Sequence, residues 1–191
     1  RAQLIQIATH DVRRIDRLVT EIATASRVDA EISRATLERV DLADLFANLV
    51  RSREERAMNA GRQIVLETTP GRHMVMGVPT QLERVAENLI DNAVSFSPAN
   101  GIISVAIRQA ERQIITDVCD EGPGIMPERR EDVFRRFHSD RPEGESFGNH
   151  SGLGLAIGRA IAEAHDGTLS AESRPDGASG ACLRLRLPAA S

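Results

Sequence analysis

Apolar residues in the first 35 positions recur at alternating spacings of four and three, the pattern of a helix that is buried along one side. No glycine or proline interrupts residues 1–35, and a second apolar row widens the stripe. One helix cannot bury so wide a stripe alone, so the pattern predicts a long helix in a bundle or coiled coil. The main row consists of Leu4, Ala8, Asp11, Ile15, Leu18, Ile22 and Ala25, in which Asp11 is the polar exception.

Helical and strand patterns alternate after this segment, which predicts an α+β domain over residues 37–191 behind the helical segment 1–36. Asp41 is a candidate N-cap, Pro79 suits the first turn of a helix, and Gly167 is expected to end the last helix. The polar stretch 126–151 is expected to be a lid or mobile loop. The predicted helices cover residues 42–61, 79–97 and 151–165, and the predicted strands cover residues 64–67, 73–76, 102–108, 113–119, 168–172 and 181–187, with 102–108 and 113–119 forming a hairpin.

Composition narrows the classes of protein. The net charge of −4 argues against nucleic-acid binding through a basic surface. Cys119 and Cys182 are far apart in the sequence and have no ligand-type neighbours. We therefore expect neither a disulfide nor a zinc site, and a reducing compartment fits. No apolar run approaches the ~20 residues that span a bilayer, and no signal peptide is recognised, so direct membrane contact is not expected.

Two asparagines, Asn88 and Asn92, lie in an otherwise apolar helical frame. The spacing of i and i+4 places both amides on one helical face. Asparagine is a mediocre helix former, so a pair of asparagines on one helical face suggests a functional role for the two amides. One such role is to bind Mg²⁺ through the amide oxygens. A purely structural pair, one buried and one exposed, is the alternative.

Two glycine-containing loops carry further candidate chemistry. Gly152 and Gly154 precede a predicted helix, where backbone N–H groups and the helix dipole favour a phosphate. Close packing of that helix is the alternative. Asp120 follows a strand and is followed by Gly122 and Gly124. Its carboxylate can accept a hydrogen bond from a nucleobase amine, whereas the alternative is an ordinary turn.

Four motifs, taken in chain order, resemble the N, G1, F and G2 boxes of bacterial sensor histidine kinases. The string from Gly148 to Leu155, with the helix that contains His10, more narrowly resembles ChvG/ExoS-type sensor kinases of alphaproteobacteria. The resemblance implies the fold shared with gyrase, Hsp90 and MutL: a two-layer α/β sandwich in which helices cover a mixed sheet. The motifs are Asn88-x3-Asn92, Asp120-x-Gly122-x-Gly124, Phe134-x-Arg136-Phe137 and Gly152-Leu153-Gly154-Leu155.

The resemblance also implies a role for each matching residue. Asn88 and Asn92 hold Mg²⁺ beside the phosphates of ATP, Asp120 binds the adenine amine, and Arg136 is a candidate catalytic phosphate contact. Phe134 and Phe137 anchor the lid. The remaining residues implied to shape the nucleotide pocket are Phe96, Gly122, Gly124, Ile125, His150, Ser151, Gly152, Leu153, Gly154 and Leu155.

Three positions refine the resemblance. Hydrolytic relatives have a water-activating Glu where this chain has Asn88, and an amide cannot act as a general base, so transfer is favoured over hydrolysis. The neighbouring Glu87 points about 100° away and is a doubtful substitute. Ser95 replaces a Lys or Arg common near the phosphates, and His150 replaces the first glycine of the G2 box.

The expected activity is transfer of the γ-phosphoryl group of Mg–ATP to a histidine. His10 lacks the proline that the acceptor motif typically has, and residues 1–35 leave no room for a second bundle helix. We interpret the segment as the second dimerisation helix, so the acceptor is absent and the chain is not expected to phosphorylate itself. Expected partners are a second copy and a response regulator, in the cytoplasm. The alternatives are a non-catalytic docking module and a hydrolytic ATPase.

Overall fold

A five-stranded mixed sheet and three helices make up most of the domain. The structure is a computed structural model that describes residues 36–59, 61–135 and 152–190. The strands are β1 (Glu38–Asp41), β2 (Gln63–Thr68), β3 (Met74–Gly77), β4 (Ile102–Ala110), β5 (Gln113–Cys119), β6 (Thr168–Ser173) and β7 (Ala181–Pro188). The helices are α1 (Leu42–Asn59), α2 (Pro79–Phe96) and α3 (Gly154–Ala164), with 3₁₀ turns at Pro127–Arg129 and Asp132–Phe134. The long helix predicted over residues 1–35, with His10, lies outside the described residues.

The main sheet has the strand order β2-β4-β5-β7-β6. β2 pairs with β4 in parallel, whereas the other neighbours are antiparallel. β4 and β5 form the predicted hairpin, with Glu111 in the left-handed conformation at its turn (φ 55°). β1 and β3 form a separate antiparallel pair. The α+β class and the mixed sheet predicted from the sequence are therefore confirmed.

The core lies between one face of the sheet and the three helices. Alternate residues of the central strands are buried, as expected for a sheet covered on one face. Apolar area removed from water stabilises such a core by roughly 25 cal/mol per Å². The fully buried side chains include Phe46, Leu82, Leu89, Ile90, Ile103, Ile107, Ile114, Ile157, Ile161 and Leu169.

The helix that carries the asparagines begins and ends where the sequence predicts. Pro79 occupies its first turn, and Ser97 follows its last residue in an extended conformation, since Pro98 cannot continue the helix. The buried imidazole of His165 links the start of α2 to α3. Its Nε2 accepts a hydrogen bond from the Val78 N–H (3.0 Å), and its Nδ1 lies 2.8 Å from the Ile161 carbonyl.

Two predicted details are corrected by the structure. Cys119 and Cys182 form a disulfide, because they occupy directly opposed positions of β5 and β7 despite their separation of 63 residues in sequence. The expected absence of a disulfide was wrong, and the cysteines give no support to a reducing compartment. Strand β1 was not predicted, although Asp41 does cap α1 by accepting a hydrogen bond from the Ala43 N–H (3.0 Å).

The end of α3 differs from its prediction as well. The residue in the left-handed conformation is Asp166 (φ 56°), not Gly167. A Cβ at Gly167 would lie 2.3 Å from the Arg186 carbonyl oxygen, so the glycine permits close packing of the chain against β7. Among the described residues, no helix has the length and apolar character required to cross a bilayer.

Candidate functional site

The asparagine helix and the second glycine loop meet directly. The side-chain nitrogen of Asn88 donates a hydrogen bond to the Gly154 carbonyl (3.0 Å). A Cβ at Gly154 would lie 3.3 Å from Asn88 Oδ1, so a larger residue would press on the amide. The hydrogen bond uses the amide nitrogen and does not consume the amide oxygen. Asn88 is thereby oriented by the first residue of α3.

Asn92 lies one turn further along α2, on the same face as Asn88. Both side chains are only partly buried, so both amides are accessible to a ligand. The pair of amide oxygens matches the hard-oxygen ligands that Mg²⁺ takes in proteins. The described residues contain no cluster of three or more His, Cys, Asp and Glu side chains that could hold a metal. A cation at this site would therefore rely on amides and on the ligand's own oxygens.

Asp120 is an almost fully buried carboxylate, with 3% of the residue exposed. Its Oδ1 accepts hydrogen bonds from the N–H groups of Gly122 (2.8 Å) and Ala181 (3.3 Å). The hydrogen bonds that the described residues make to this carboxylate end on Oδ1. Burial raises the pKa of Asp120, while the two N–H groups and the charge of Arg174 oppose the rise.

The first glycine loop packs against the end of the asparagine helix. A Cβ at Gly122 would lie 2.6 Å from the Phe96 carbonyl oxygen and 2.8 Å from Asp120 Oδ1. Gly124 has φ 79° and would place a Cβ 2.9 Å from the Gly180 carbonyl oxygen. Neither position accepts a side chain without displacing backbone. Asp120, Asn88 and Gly154 therefore lie around one helix.

The loop 174–180 also borders this site, although no motif in the sequence marks it. Arg174 donates to the Asp120 carbonyl (3.0 Å), and Ser179 donates to the Gly122 carbonyl (3.2 Å). No local sequence signal marks these contacts, because they depend on the pairing of β5 with β7. They hold the first glycine loop in addition to its contact with the end of α2.

Glu87 is held toward α1. Its carboxylate forms an ion pair with Arg53 of α1 (2.8 Å), and Arg53 also lies 3.3 Å from Asp91. This arrangement supports the interpretation that Glu87 is a poor substitute for a water-activating glutamate.

The beginning of the predicted lid is fixed by Phe134, which is buried. Arg159 of α3 lies over its ring, 4.6 Å from the centroid, and forms an ion pair with Glu131 (2.8 Å). Leu153 is 1% exposed and belongs to the core, while Ile125 and Leu155 are partly buried against it. The other predicted lid and pocket residues, Arg136, Phe137, His150 and Ser151, lie outside the described residues.

Comparison with known proteins identifies the class to which this fold and site belong. The model of the family described as histidine kinase-, DNA gyrase B- and HSP90-like ATPases matches residues 77–191. The chain belongs to this family. Its relatives are sensor histidine kinases, and it corresponds to their ATP-binding catalytic domain.

Particular relatives confirm the narrower resemblance. The sensor protein ChvG of Rhizobium meliloti is 44% identical over 98% of this chain, which spans 34% of that protein. Among solved structures, the histidine kinase AdeS of Acinetobacter baumannii superposes with a TM-score of 0.77 at 26% identity, covering 98% of this chain and 85% of that one. The mycobacterial sensor histidine kinase MprB gives a TM-score of 0.67 at 30% identity, covering 80% of this chain and 97% of that one.

Proposed function

We propose that this chain binds Mg–ATP between α2 and the two glycine loops, and that it supplies the γ-phosphoryl group for transfer to a histidine on a dimerisation helix. The observation that carries the proposal is the hydrogen bond from Asn88 to the Gly154 carbonyl (3.0 Å), since it joins the proposed cation ligand to the phosphate-side loop. The buried carboxylate of Asp120 supplies the adenine end of the same site.

Adenine recognition falls to Asp120. Two backbone N–H groups fix Oδ1, so Oδ2 is held in one orientation. Oδ2 then accepts a hydrogen bond from the exocyclic amine of the base. Gly122 lets the loop pack directly against the end of α2 beside the carboxylate, because even a methyl group there would collide with the Phe96 carbonyl oxygen. A keto group at the position of that amine offers no donor, so the arrangement favours adenine over guanine.

At the phosphate end, Asn88 and Asn92 would hold Mg²⁺, and the ion would neutralise phosphate charge when bound. Phosphoryl transfer depends mainly on positioning and on stabilisation of charge. Asn88 cannot take a proton from water, which favours transfer over hydrolysis. Arg136 and His150 are the proposed phosphate contacts that replace the cation missing at Ser95.

The activity of the whole protein extends beyond this chain, which spans 34% of the ChvG relative from Rhizobium meliloti. We propose that residues 1–36 belong to a dimerisation domain, that the complete protein is a homodimeric membrane sensor whose catalytic part faces the cytoplasm, and that a response regulator receives the phosphoryl group. His10 is not proposed as the acceptor. Incubation with γ-labelled ATP tests this point: acid-labile label on His10 contradicts it.

Calorimetric titration of the chain with a non-hydrolysable ATP analogue, with and without Mg²⁺, tests the central proposal. Binding is expected, with higher affinity when Mg²⁺ is present. Absence of binding in both conditions supports the non-catalytic docking module instead. Steady phosphate release from ATP alone supports a hydrolytic ATPase.

A further inference from the structure

We infer that Arg174 is a positioning residue of the adenine site, whose guanidinium holds the Asp120 carbonyl and thereby orients the Asp120 carboxylate toward the base. The inference rests on the proposed function, since it takes Asp120 as the acceptor for the adenine amine. No part of the recognised motifs contains Arg174.

Hydrogen bonds to two different residues fix the guanidinium of Arg174. Nη1 of Arg174 donates to the Asp120 carbonyl (3.0 Å), while Nε and Nη2 form a bidentate pair with the carboxylate of Asp176. The side chain is 14% exposed. A planar, forked group held in this way is preorganised, so it constrains its third partner more strongly than a flexible ammonium group would.

The Asp120 carbonyl takes its donor from this arginine, since the N–H of the facing Ala181 donates to Asp120 Oδ1 instead (3.3 Å). Asp120 donates its own N–H to the Ala181 carbonyl (2.9 Å), but a Cβ on the preceding Gly180 would lie 1.9 Å from the Asp120 carbonyl oxygen. A buried carbonyl without a donor costs free energy comparable to a lost hydrogen bond. Arg174 supplies the donor at the point where the regular pairing of the two strands ends.

The carbonyl belongs to the peptide group that joins Asp120 to Glu121, so Arg174 restricts rotation of that peptide. The peptide that joins Gly122 to Pro123 is held through the Gly122 carbonyl by Ser179 (3.2 Å). This segment presents the Asp120 carboxylate to the base, and the Gly122 N–H fixes the Oδ1 atom of that carboxylate (2.8 Å). Arg174 also lies 3.8 Å from Glu121, and its positive charge favours the ionised form of Asp120.

The test compares Arg174→Ala with Arg186→Ala by titration with a non-hydrolysable ATP analogue over a pH series. Arg186 is a matched control, because it pairs with Glu172 and Ser170 and has no described contact with Asp120. Loss of a charge-assisted hydrogen bond at Asp120 is expected to weaken analogue binding by about tenfold in Arg174→Ala. The pH at which affinity falls on acidification is expected to move upward. Binding of inorganic triphosphate, which reports only on the phosphate end, is expected to stay unchanged.

The outcomes separate the inference from the proposed function. If the unmodified chain fails to bind the analogue, the proposed function is wrong. If that chain binds but Arg174→Ala matches it in affinity and in pH profile, the positioning role is wrong. If circular dichroism shows that Arg174→Ala does not fold, Asp176→Ala is used in its place. That variant removes the carboxylate that holds the Arg174 guanidinium but keeps the arginine itself. About threefold weaker analogue binding is then expected, and unchanged binding overturns the inference.

Discussion

Replacing Asp120 with asparagine separates the binding role of this residue from its structural role. The side-chain oxygen of Asn can accept both the Gly122 and the Ala181 N–H bonds that now end on Oδ1. Its amino group then takes the place of Oδ2. An adenine amine would meet a donor where it requires an acceptor.

The magnitude follows from these contacts. A hydrogen bond to a charged group contributes about 1.5–3 kcal/mol, which corresponds to roughly 10- to 150-fold in affinity. The facing donors add a further penalty, so we expect Asp120→Asn to weaken binding of the ATP analogue by at least about 100-fold. The stability of the fold is not expected to decrease in this variant. Burial raises the pKa of Asp120, so the folded state retains the proton at higher pH than the unfolded state does. The protonated Asp120 carboxyl therefore contributes to stability below the unfolded pKa of 3.8, and this contribution is lost as pH rises through the folded pKa.

Calorimetric titration gives the affinity, and thermal unfolding from pH 4 to pH 8 gives the stability. At neutral pH, Asp120→Asn is expected to melt at or above the temperature of the unmodified chain. Analogue affinity within threefold of the unmodified chain would refute the assignment of Asp120 to the adenine amine. A melting temperature several degrees lower would refute the expectation that an amide satisfies the same two N–H groups.

Three further variants test the rest of the domain. Asp117→Asn serves as the matched control for Asp120→Asn: burial alone would raise the pKa of Asp117, but its two arginine partners outweigh burial and lower it. Its contribution to stability is therefore present above the unfolded pKa of 3.8 and is lost as pH falls through the lower folded pKa. We expect Asp117→Asn to lose about 1.5–3 kcal/mol of unfolding free energy at neutral pH in urea titration, with analogue affinity retained; unchanged stability would contradict the ion-pair assignment. Asn92→Ala is expected to abolish most of the gain in affinity that Mg²⁺ provides, while leaving Mg²⁺-free binding within about twofold; an unaltered Mg²⁺ gain would exclude Asn92 as a ligand. His165→Ala removes the buried acceptor of the Val78 N–H and the partner of the Ile161 carbonyl, so we expect a loss of about 2–4 kcal/mol in urea titration; a loss below about 0.5 kcal/mol would show that water replaces the imidazole.

The elements with local signals could be predicted from the sequence. Proline at position 79, the apolar frame of α2 and the stop at Pro98 all act within a few residues, so the boundaries of this helix follow from sequence alone. The resemblance then identified the family. The roles assigned to Asn88, Asn92 and Asp120 stay predictions, although the structure gathers them around α2.

The features that were missed depend on partners distant in the chain. Cys119 meets Cys182 only because β5 and β7 pair in one register, and Arg174 reaches Asp120 across the same pairing. β1 is a four-residue strand whose pairing partner is β3. Register is set by the whole sheet and leaves no mark in the residues next to each position.

Both glycine loops pack against α2, so this helix fixes the distance between the two loops. Gly154 contacts Asn88, and Gly122 packs against the Phe96 carbonyl, eight residues further along the helix (96 − 88). At 1.5 Å per residue, the two contacts are about 12 Å apart along the axis. Under the proposed function, α2 therefore sets the distance between the base end and the phosphate end of the ligand. Inserting one residue between Asn88 and Phe96 would lengthen it by about 1.5 Å and rotate one end by about 100° relative to the other. Such an insertion would separate the two halves of the site even if every contact residue were kept.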